Sequence, residues 1–324
     1  MRLDEHVARV RLCTLPTPLE PAPRLAVALG LNEDDLWIKR DDLIGLGAGG
    51  NKVRKLEWTC GAALAAGADL LVTSGAAQSN HARLTAAAGA RLGLQVVLVL
   101  SGSPTTGYTG NVSLDRLLGA HIEWVGDLDD DALAVRVDDI ASALEAAGHR
   151  PAVIPFGGSS PASAQGYAEC AREILAVRPD LGRIVVAVGS GGTMAGLVDG
   201  VGAGRVIGVD CGAVSDPARR VAEFAAGQWT PEELTIRTDQ IGRGYSTLTP
   251  HVADALRLVA RTEGIVLDPI YTGRAAAGLV AAVGDGSVLP GTPTVLLHTG
   301  GLPGYFGHPD AMMLDNPAPS LSTD

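Results

Sequence analysis

The sequence predicts an α/β protein built on two open, twisted and mostly parallel sheets flanked by helices. Apolar runs of strand length alternate with helical stretches that end at glycine, the pattern of successive βα units. Hydrophobic residues make up 46% of the 324 residues but aromatics only 4%, which suits strands buried on both faces and argues against an aromatic-rich β-sandwich. Glycine-rich turns also stand just after strands and just before helices, where open α/β sheets bind ligands. The length allows two domains, each with its own core.

Leu15 to Pro21 reads as a proline-stiffened lead-in, followed by a short helix around Leu25 to Leu29. Leu36 to Arg40 is a strand that delivers Asp41 and Asp42 to a loop, where pairing with Arg40 or Arg54 is expected and acid–base work is the alternative. A helix opens at Lys52 and ends at Gly67, because Val53, Leu56 and the apolar positions around Leu64 recur at helical spacing. Then come strand Leu70–Thr73, helix Ala82–Leu92 closed by Gly93, strand Gln95–Leu100, helix Asn111–Leu118 closed by Gly119, and strand Ile122–Val125. An acidic loop, Asp127 to Asp131, starts a helix that reaches Ala147, where negative charge suits the helix dipole. Pro151 to Pro161 is rich in Pro, Gly and Ser and reads as the crossing into another domain.

Helix Ala162–Leu175 leads to strand Ile184–Val188, a glycine turn, a helix from Met194 and strand Arg205–Asp210. Helix His251–Thr262, the segment Ile265–Tyr271, helix Ala275–Val283 and strand Thr294–His298 close the fold. The tail after Asn316 is Pro, Ser and Thr and is expected to fray. This order implies a large domain of residues 1–55 and 162–324, a small α/β domain of residues 56–161, and a site between them.

The formal net charge of −11 argues against a nucleic-acid groove, so an anionic ligand needs local cations or amides. Cys13, Cys60, Cys170 and Cys211 stand far apart without a Cys-x-x-Cys pair, which suggests neither a zinc site nor a disulfide framework; no metal is expected. Met1 to Leu12 lacks the continuous apolar core of a secretory signal, and no run reaches membrane-spanning length. A cytoplasmic enzyme acting on a small molecule, with neither nucleic acid nor membrane as partner, is the expectation.

Four stretches carry chemistry. Lys52 follows Gly49-Gly50-Asn51 at a helix N-terminus, with Arg54 and Lys55 close by, a setting that favours its neutral, nucleophilic form and suits Schiff-base chemistry. The same helix start, with Lys55 one turn on, is an anion site, so an aldehyde cofactor carrying a phosphate satisfies both features. Gly189-Ser190-Gly191-Gly192-Thr193 lies between a strand and a helix and reads as a phosphate cradle. The rival there is a dinucleotide fold with Asp210 as the ribose acid, but Met194 stands where its third glycine belongs. Ser79, Asn80 and His81 follow another strand; Ser79 and first-turn amides suit a substrate carboxylate, Asn80 a ring hydroxyl, and His81 orientation of its neighbours. Tyr245 and Tyr271 sit in glycine-rich surroundings and read as acid–base or positioning groups, with core packing as the alternative for either alone.

Together Gly-Gly-Asn-Lys-Val-Arg-Lys-Leu-Glu, Gln-Ser-Asn-His-Ala-Arg, Gly-Ser-Gly-Gly-Thr, Leu-Asp-Pro-Ile-Tyr-Thr-Gly-Arg and His-Thr-Gly-Gly resemble the pyridoxal-phosphate enzymes grouped as D-cysteine desulfhydrase and 1-aminocyclopropane-1-carboxylate (ACC) deaminase. The resemblance implies a tryptophan-synthase-β-like architecture, fold type II, with pyridoxal 5'-phosphate between two domains of a homodimer's subunit. Lys52 would hold the cofactor covalently. Lys55 and Gly189 to Thr193 would bind its phosphate, and Asn80 its ring hydroxyl, while Ser79, Tyr245 and Tyr271 would face the substrate. ACC deaminases carry Glu after the second tyrosine and Leu after the late histidine; here Thr272 and Thr299 stand there, as in the desulfhydrases. Arg274 replaces a lysine common in relatives and keeps its charge.

The resemblance thus implies a carbon–sulfur lyase converting D-cysteine to pyruvate, sulfide and ammonia. L-cysteate sulfo-lyase or ACC deaminase activity on the same cofactor is the near alternative. A non-catalytic pyridoxal-phosphate carrier and a nicotinamide-dependent oxidoreductase are the alternatives of other classes.

Overall fold

A computed structural model describes residues 8–104, 109–225 and 228–314. The N-terminal start of the signal reading and the tail after Asn316 lie outside the described residues. The first half runs β1 (Leu19–Pro21), α1 (Pro23–Ala28), β2 (Leu36–Arg40), α2 (Lys52–Ala65), β3 (Leu70–Ala76), α3 (Asn80–Leu92), β4 (Gln95–Ser101), α4 (Gly110–Leu117), β5 (His121–Trp124), α5 (Asp130–Ala146) and β6 (Pro151–Val153). The second half runs α6 (Pro161–Val177), β7 (Arg183–Val188), α7 (Gly192–Val201), β8 (Val206–Asp210), α8 (Pro217–Phe224), β9 (Thr235–Arg237), α9 (Pro250–Glu263), α10 (Thr272–Gly284), β10 (Thr294–His298), α11 (Leu302–Phe306) and α12 (Pro309–Met312).

The strands form a six-stranded sheet, β1-β2-β10-β7-β8-β9, and a four-stranded sheet, β5-β4-β3-β6. Every pairing is parallel except β1 with β2. In the larger sheet β10 and β8 are buried along their whole length, as expected of strands covered by helices on both faces. The smaller sheet shows the period of two. Leu71, Val96, Leu98 and Leu100 face α2 and α3, while Leu70, Val72, Val97 and Val99 pack with Leu133 and Val137 of α5. Each such side chain, fully buried, contributes roughly 1.5–3 kcal/mol.

The parallel register aligns the carboxyl ends of the strands. His298 pairs with Arg40 and Val188 with Asp210 in one sheet, and Ala76 with Ser101 in the other. The loops after β2, β7, β10 and β3 therefore emerge at carboxyl edges, and most of the candidate residues lie on them or on the first turns of the helices that follow, while Tyr245 follows β9 and Tyr271 directly precedes α10.

Several boundaries differ from the sequence reading. Pro151 to Pro161 is more than a crossing, because Pro151–Val153 pairs with β3 as an edge strand that starts at its proline. Helix α3 starts at Asn80 because Ser79 caps it, its Oγ accepting from Ala82 N. Helix α10 starts at Thr272, three residues ahead of expectation, because the Asp268 carboxylate accepts from the amides of Ile270, Tyr271 and Thr272. Asp41 and Asp42 take the expected partners. Arg54 Nε donates to Asp41 at 2.9 Å and Arg40 Nη2 to Asp42 at 2.7 Å. The four cysteines are buried free thiols. Among the described residues no helix is long and apolar enough to cross a membrane.

Candidate active site

A cavity of about 270 Å³ opens between the carboxyl edges of the two sheets, walled by the loops after β7 and β10 on one side and after β3 on the other. It brings together Lys52, Lys55, Ser79, Asn80, His81, Gly189, Ser190, Gly191, Thr193, Tyr245, Tyr271 and Thr299.

Lys52 opens α2, and its ammonium is pushed down to about 8, chiefly by burial, with the Asp268 carboxylate pulling the other way. The direction matches the sequence reading but the cause does not. Arg54 turns out of the site, its guanidinium bound to Asp41 and to Glu173 at 2.8 Å. Lys55 is the cation that remains. It is 1% exposed, donates to Ser159 Oγ at 2.9 Å, and is held well below its ordinary value by burial and by the charge of Lys52.

The turn after β7 is shaped for an anion. Gly191 takes a φ of +92°, which L side chains rarely adopt, and caps α7. Gly192 does not reach the cavity wall itself, but a Cβ there would stand 2.7 Å from Ser159 Oγ and 3.3 Å from Lys55 Nζ. Ser190 Oγ lies 2.8 Å from Ser159 Oγ, and Thr193 Oγ1 accepts from Asn51 Nδ2 at 3.0 Å. First-turn amides, hydroxyls and one ammonium thus converge on one spot, the donor set of a phosphate cradle. Sequence reasoning missed Ser159 and Asn51. The Gly157-Gly158-Ser159 run carried the only signal, and it was read as linker.

Ser79 Oγ accepts from Ala82 N, which leaves its O–H to donate into the cavity. His81 is different. Thr73 Oγ1 gives its proton to the Ile154 carbonyl, so the 2.8 Å contact between Thr73 Oγ1 and His81 Nε2 needs the imidazole as donor. Burial and the nearby lysines hold His81 well below its ordinary pKa, and the neutral ring keeps only an acceptor at Nδ1. The neutral His81 side chain has no proton for a substrate carboxylate, so of its two expected roles the geometry supports the orienting one.

The Tyr245 and Tyr271 hydroxyls lie 2.7 Å apart with their rings edge to face. Burial pushes Tyr245 up to about 12 and Tyr271 higher than its usual value, so both stay protonated. One proton bridges the pair and the other remains available. Lys52 Nζ stands 5.9 Å from the Tyr271 ring centroid, and Gly189 lets that ring approach, since a Cβ there would meet it at 2.9 Å.

Arg274 is not a neutral exchange for lysine. Its buried guanidinium donates to the carbonyl of Cys211 and to those of Gly244, Tyr245 and Thr247, clamping the loop that carries Tyr245. Thr299 lines the cavity, but Thr272 stands behind the wall with its hydroxyl donating to Asp268 Oδ1 at 2.7 Å. Direct contact of Thr272 with a ligand, expected from the sequence, is replaced by this contact with a carboxylate.

Residues 10–300 match the family described as pyridoxal-phosphate dependent enzyme. The chain is 40% identical over 319 residues to a D-cysteine desulfhydrase of Klebsiella pneumoniae, covering 93% of this chain and 96% of that protein. It is 36% identical over 321 residues to a putative ACC deaminase of Pyrococcus furiosus, covering 94% and 95%. A crystal structure of an ACC deaminase homologue superposes with a TM-score of 0.85 at 36% identity, covering 95% of this chain and 96% of that one.

Proposed function

The chain belongs to the pyridoxal-phosphate dependent enzymes, in the group of the D-cysteine desulfhydrases and ACC deaminases, and from that premise we propose that it eliminates the β-thiol of D-cysteine to give sulfide, pyruvate and ammonia. The architecture is that of fold type II, and the cavity fits the cofactor. It holds one half-buried lysine poised near neutrality and a second beside a glycine turn, where any side chain at position 192 would press on Ser159 and Lys55. The observation that carries the reaction is the pairing in one cavity of an amine able to shed its proton, Lys52, with a hydroxyl pair that keeps its protons, Tyr245 and Tyr271. An α,β-elimination needs both a base and an acid.

Bound there, pyridoxal phosphate supplies a sink for the electron pair left when a proton leaves the carbon next to the amine. Lys55, Ser159, Ser190, Thr193 and the first turn of α7 would hold the phosphate, and Asn80 would bond the ring oxygen. Lys52 would hold the aldehyde carbon, and its Nζ, when not so bonded, is the group placed to take the α-proton. Ser79 donates its O–H to the substrate carboxylate. The free proton of the tyrosine pair would go to the departing sulfur, the proton taken by Lys52 would return to the β-carbon as the methyl group forms, and one water adding at the former α-carbon would release ammonia and pyruvate.

The test is product release from D-cysteine, with L-cysteine, L-cysteate and ACC run beside it. Equal sulfide and pyruvate from D-cysteine alone is the expected result; turnover of ACC instead overturns the assignment. That second reading is favoured by one observation, the Asp268 carboxylate one hydrogen bond behind Thr272, which supplies a negative charge close to the cavity. Lys52→Ala is expected to abolish turnover and the absorbance of the lysine-bound cofactor, and retained activity refutes the role given to Lys52.

A further inference from the structure

Asn111 lies outside the cavity wall, at the second position of α4, and is 0% exposed. Its Nδ2 donates to the Gln78 carbonyl at 2.9 Å and to Asn80 Oδ1 at 3.0 Å. Its backbone N–H donates to Gln78 Oε1 at 2.8 Å, and Gln78 Nε2 donates to the Thr109 carbonyl at 3.0 Å. Backbone groups end this network on both sides, and they cannot reverse polarity: a carbonyl only accepts and an N–H only donates. The Asn111 amino group must therefore face the Gln78 carbonyl, and its second hydrogen must meet an oxygen on Asn80. Asn80 has no freedom to turn its amide over.

With its carbonyl held by Asn111, Asn80 has only its amino group left for the cavity that it lines. Asn111 Oδ1 is buried without a hydrogen-bond partner, a cost that ordinary packing would not retain. Both of its donors are in use, and its acceptor is not.

We propose that Asn111 is a positioning residue that locks Asn80 as a hydrogen-bond donor, so that position 80 selects an anionic ring oxygen on the cofactor over a neutral hydroxyl. The proposal rests on the reading that pyridoxal phosphate occupies this cavity with its ring oxygen at Asn80. A charge-assisted bond from a fixed donor is stronger than one from an amide free to flip.

The experiment is a double-mutant cycle on cofactor binding. Apoprotein carrying Asn111→Ala, Asn80→Ala or both is titrated with pyridoxal phosphate, and the pH midpoint of the cofactor's absorbance is recorded for each. Asn80→Ala and Asn111→Ala are each expected to weaken binding about tenfold and to move the midpoint in the same direction, with the double variant no worse than Asn80→Ala alone. Asn111→Asp is expected to weaken binding more than Asn111→Ala, because its carboxylate draws the Asn80 amino group away from the cavity. If the two losses multiply to about a hundredfold, or the midpoint moves only in Asn80→Ala, Asn111 has a structural role and the proposal fails. Should Asn80→Ala bind the cofactor as the parent does, the reading of Asn80 at the ring fails first. If Asn111→Ala does not fold, Asn111→Asp, which keeps the size and shape of the side chain, supplies the cycle and must give the same non-additivity with Asn80→Ala.

Discussion

Arg274→Lys is the substitution whose effect the structure predicts most differently from its chemistry on paper. The guanidinium bridges two loops, reaching Cys211 O through Nη1 and the carbonyls of Gly244, Tyr245 and Thr247 through Nη2 at 2.8–2.9 Å. A lysine ammonium is a single point, so it satisfies one loop or the other. At least one buried carbonyl group then loses a charge-assisted bond worth about 1.5–3 kcal/mol, which puts the stability loss at about 2–4 kcal/mol once the orphaned acceptors are included. The loop freed first is the one holding Tyr245, whose hydroxyl must stay 2.7 Å from Tyr271. Displacement of a reacting group by about 1 Å can cost on the order of a hundredfold in rate. A urea unfolding series on the apoprotein and kcat/KM for the loaded enzyme give the two readouts. Expected are a lower midpoint with unchanged slope and a drop in kcat. A variant equal to the parent in both refutes the clamp.

Two further perturbations follow from burial. Gly192→Ala puts a Cβ 2.7 Å from Ser159 Oγ, displacing the hydroxyl that Lys55 uses, so pyridoxal-phosphate affinity should fall at least about tenfold; an unchanged titration of the apoprotein contradicts the cradle. Asp115 is buried with both carboxylate oxygens unpartnered, and desolvation raises it to about 7, Arg83 opposing. Its folded pKa lies above the unfolded value, so the native state binds more protons between about pH 4 and about pH 7, and stability falls as pH rises through that window. Asp115→Asn should flatten this slope in urea midpoints measured across the window, and an unaltered slope assigns it to other groups.

The parts of the site legible in sequence are those with local signals. Gly189 to Thr193, Gly49 to Lys52 and Ser79-Asn80 each sit at a strand-to-helix turn, where glycine or a capping residue declares the geometry within a few positions. What was not legible depends on contacts across the chain. Ser159 meets Lys55 from 104 positions away, and Asn111 meets Asn80 from 31. The meaning of Thr272 was also hidden. Its identity could be read, but not that its hydroxyl turns toward Asp268. Short elements failed for a related reason. β1, β6 and β9 have three residues each, too few to show a period, and exist because a sheet edge offers them partners. α8, which begins at Pro217 beyond a capping Asp216, had its start signal in plain view and was overlooked.

The placement of Lys52 and Lys55 connects the two halves of the cofactor's attachment. A chain of net charge −11 does not attract anions by its overall field, so a phosphate must be drawn by local charge. Yet of the two lysines on the first turn of α2 Lys55 is buried and Lys52 half-buried, and Lys55 is lowered further by the charge of Lys52. Each therefore makes the other's charge more costly. Any loss of charge at Lys52 would lift that repulsion, and Lys55 would hold its proton more readily, just where Ser159 and the Gly189 to Thr193 turn converge. A phosphate held at Lys55 offsets that ammonium's field at Lys52 in turn. The charge states of the two lysines and an anion held beside them are thus linked, each shifting the other by the same free energy, so occupancy of the phosphate cradle would move the titration of Lys52 upward.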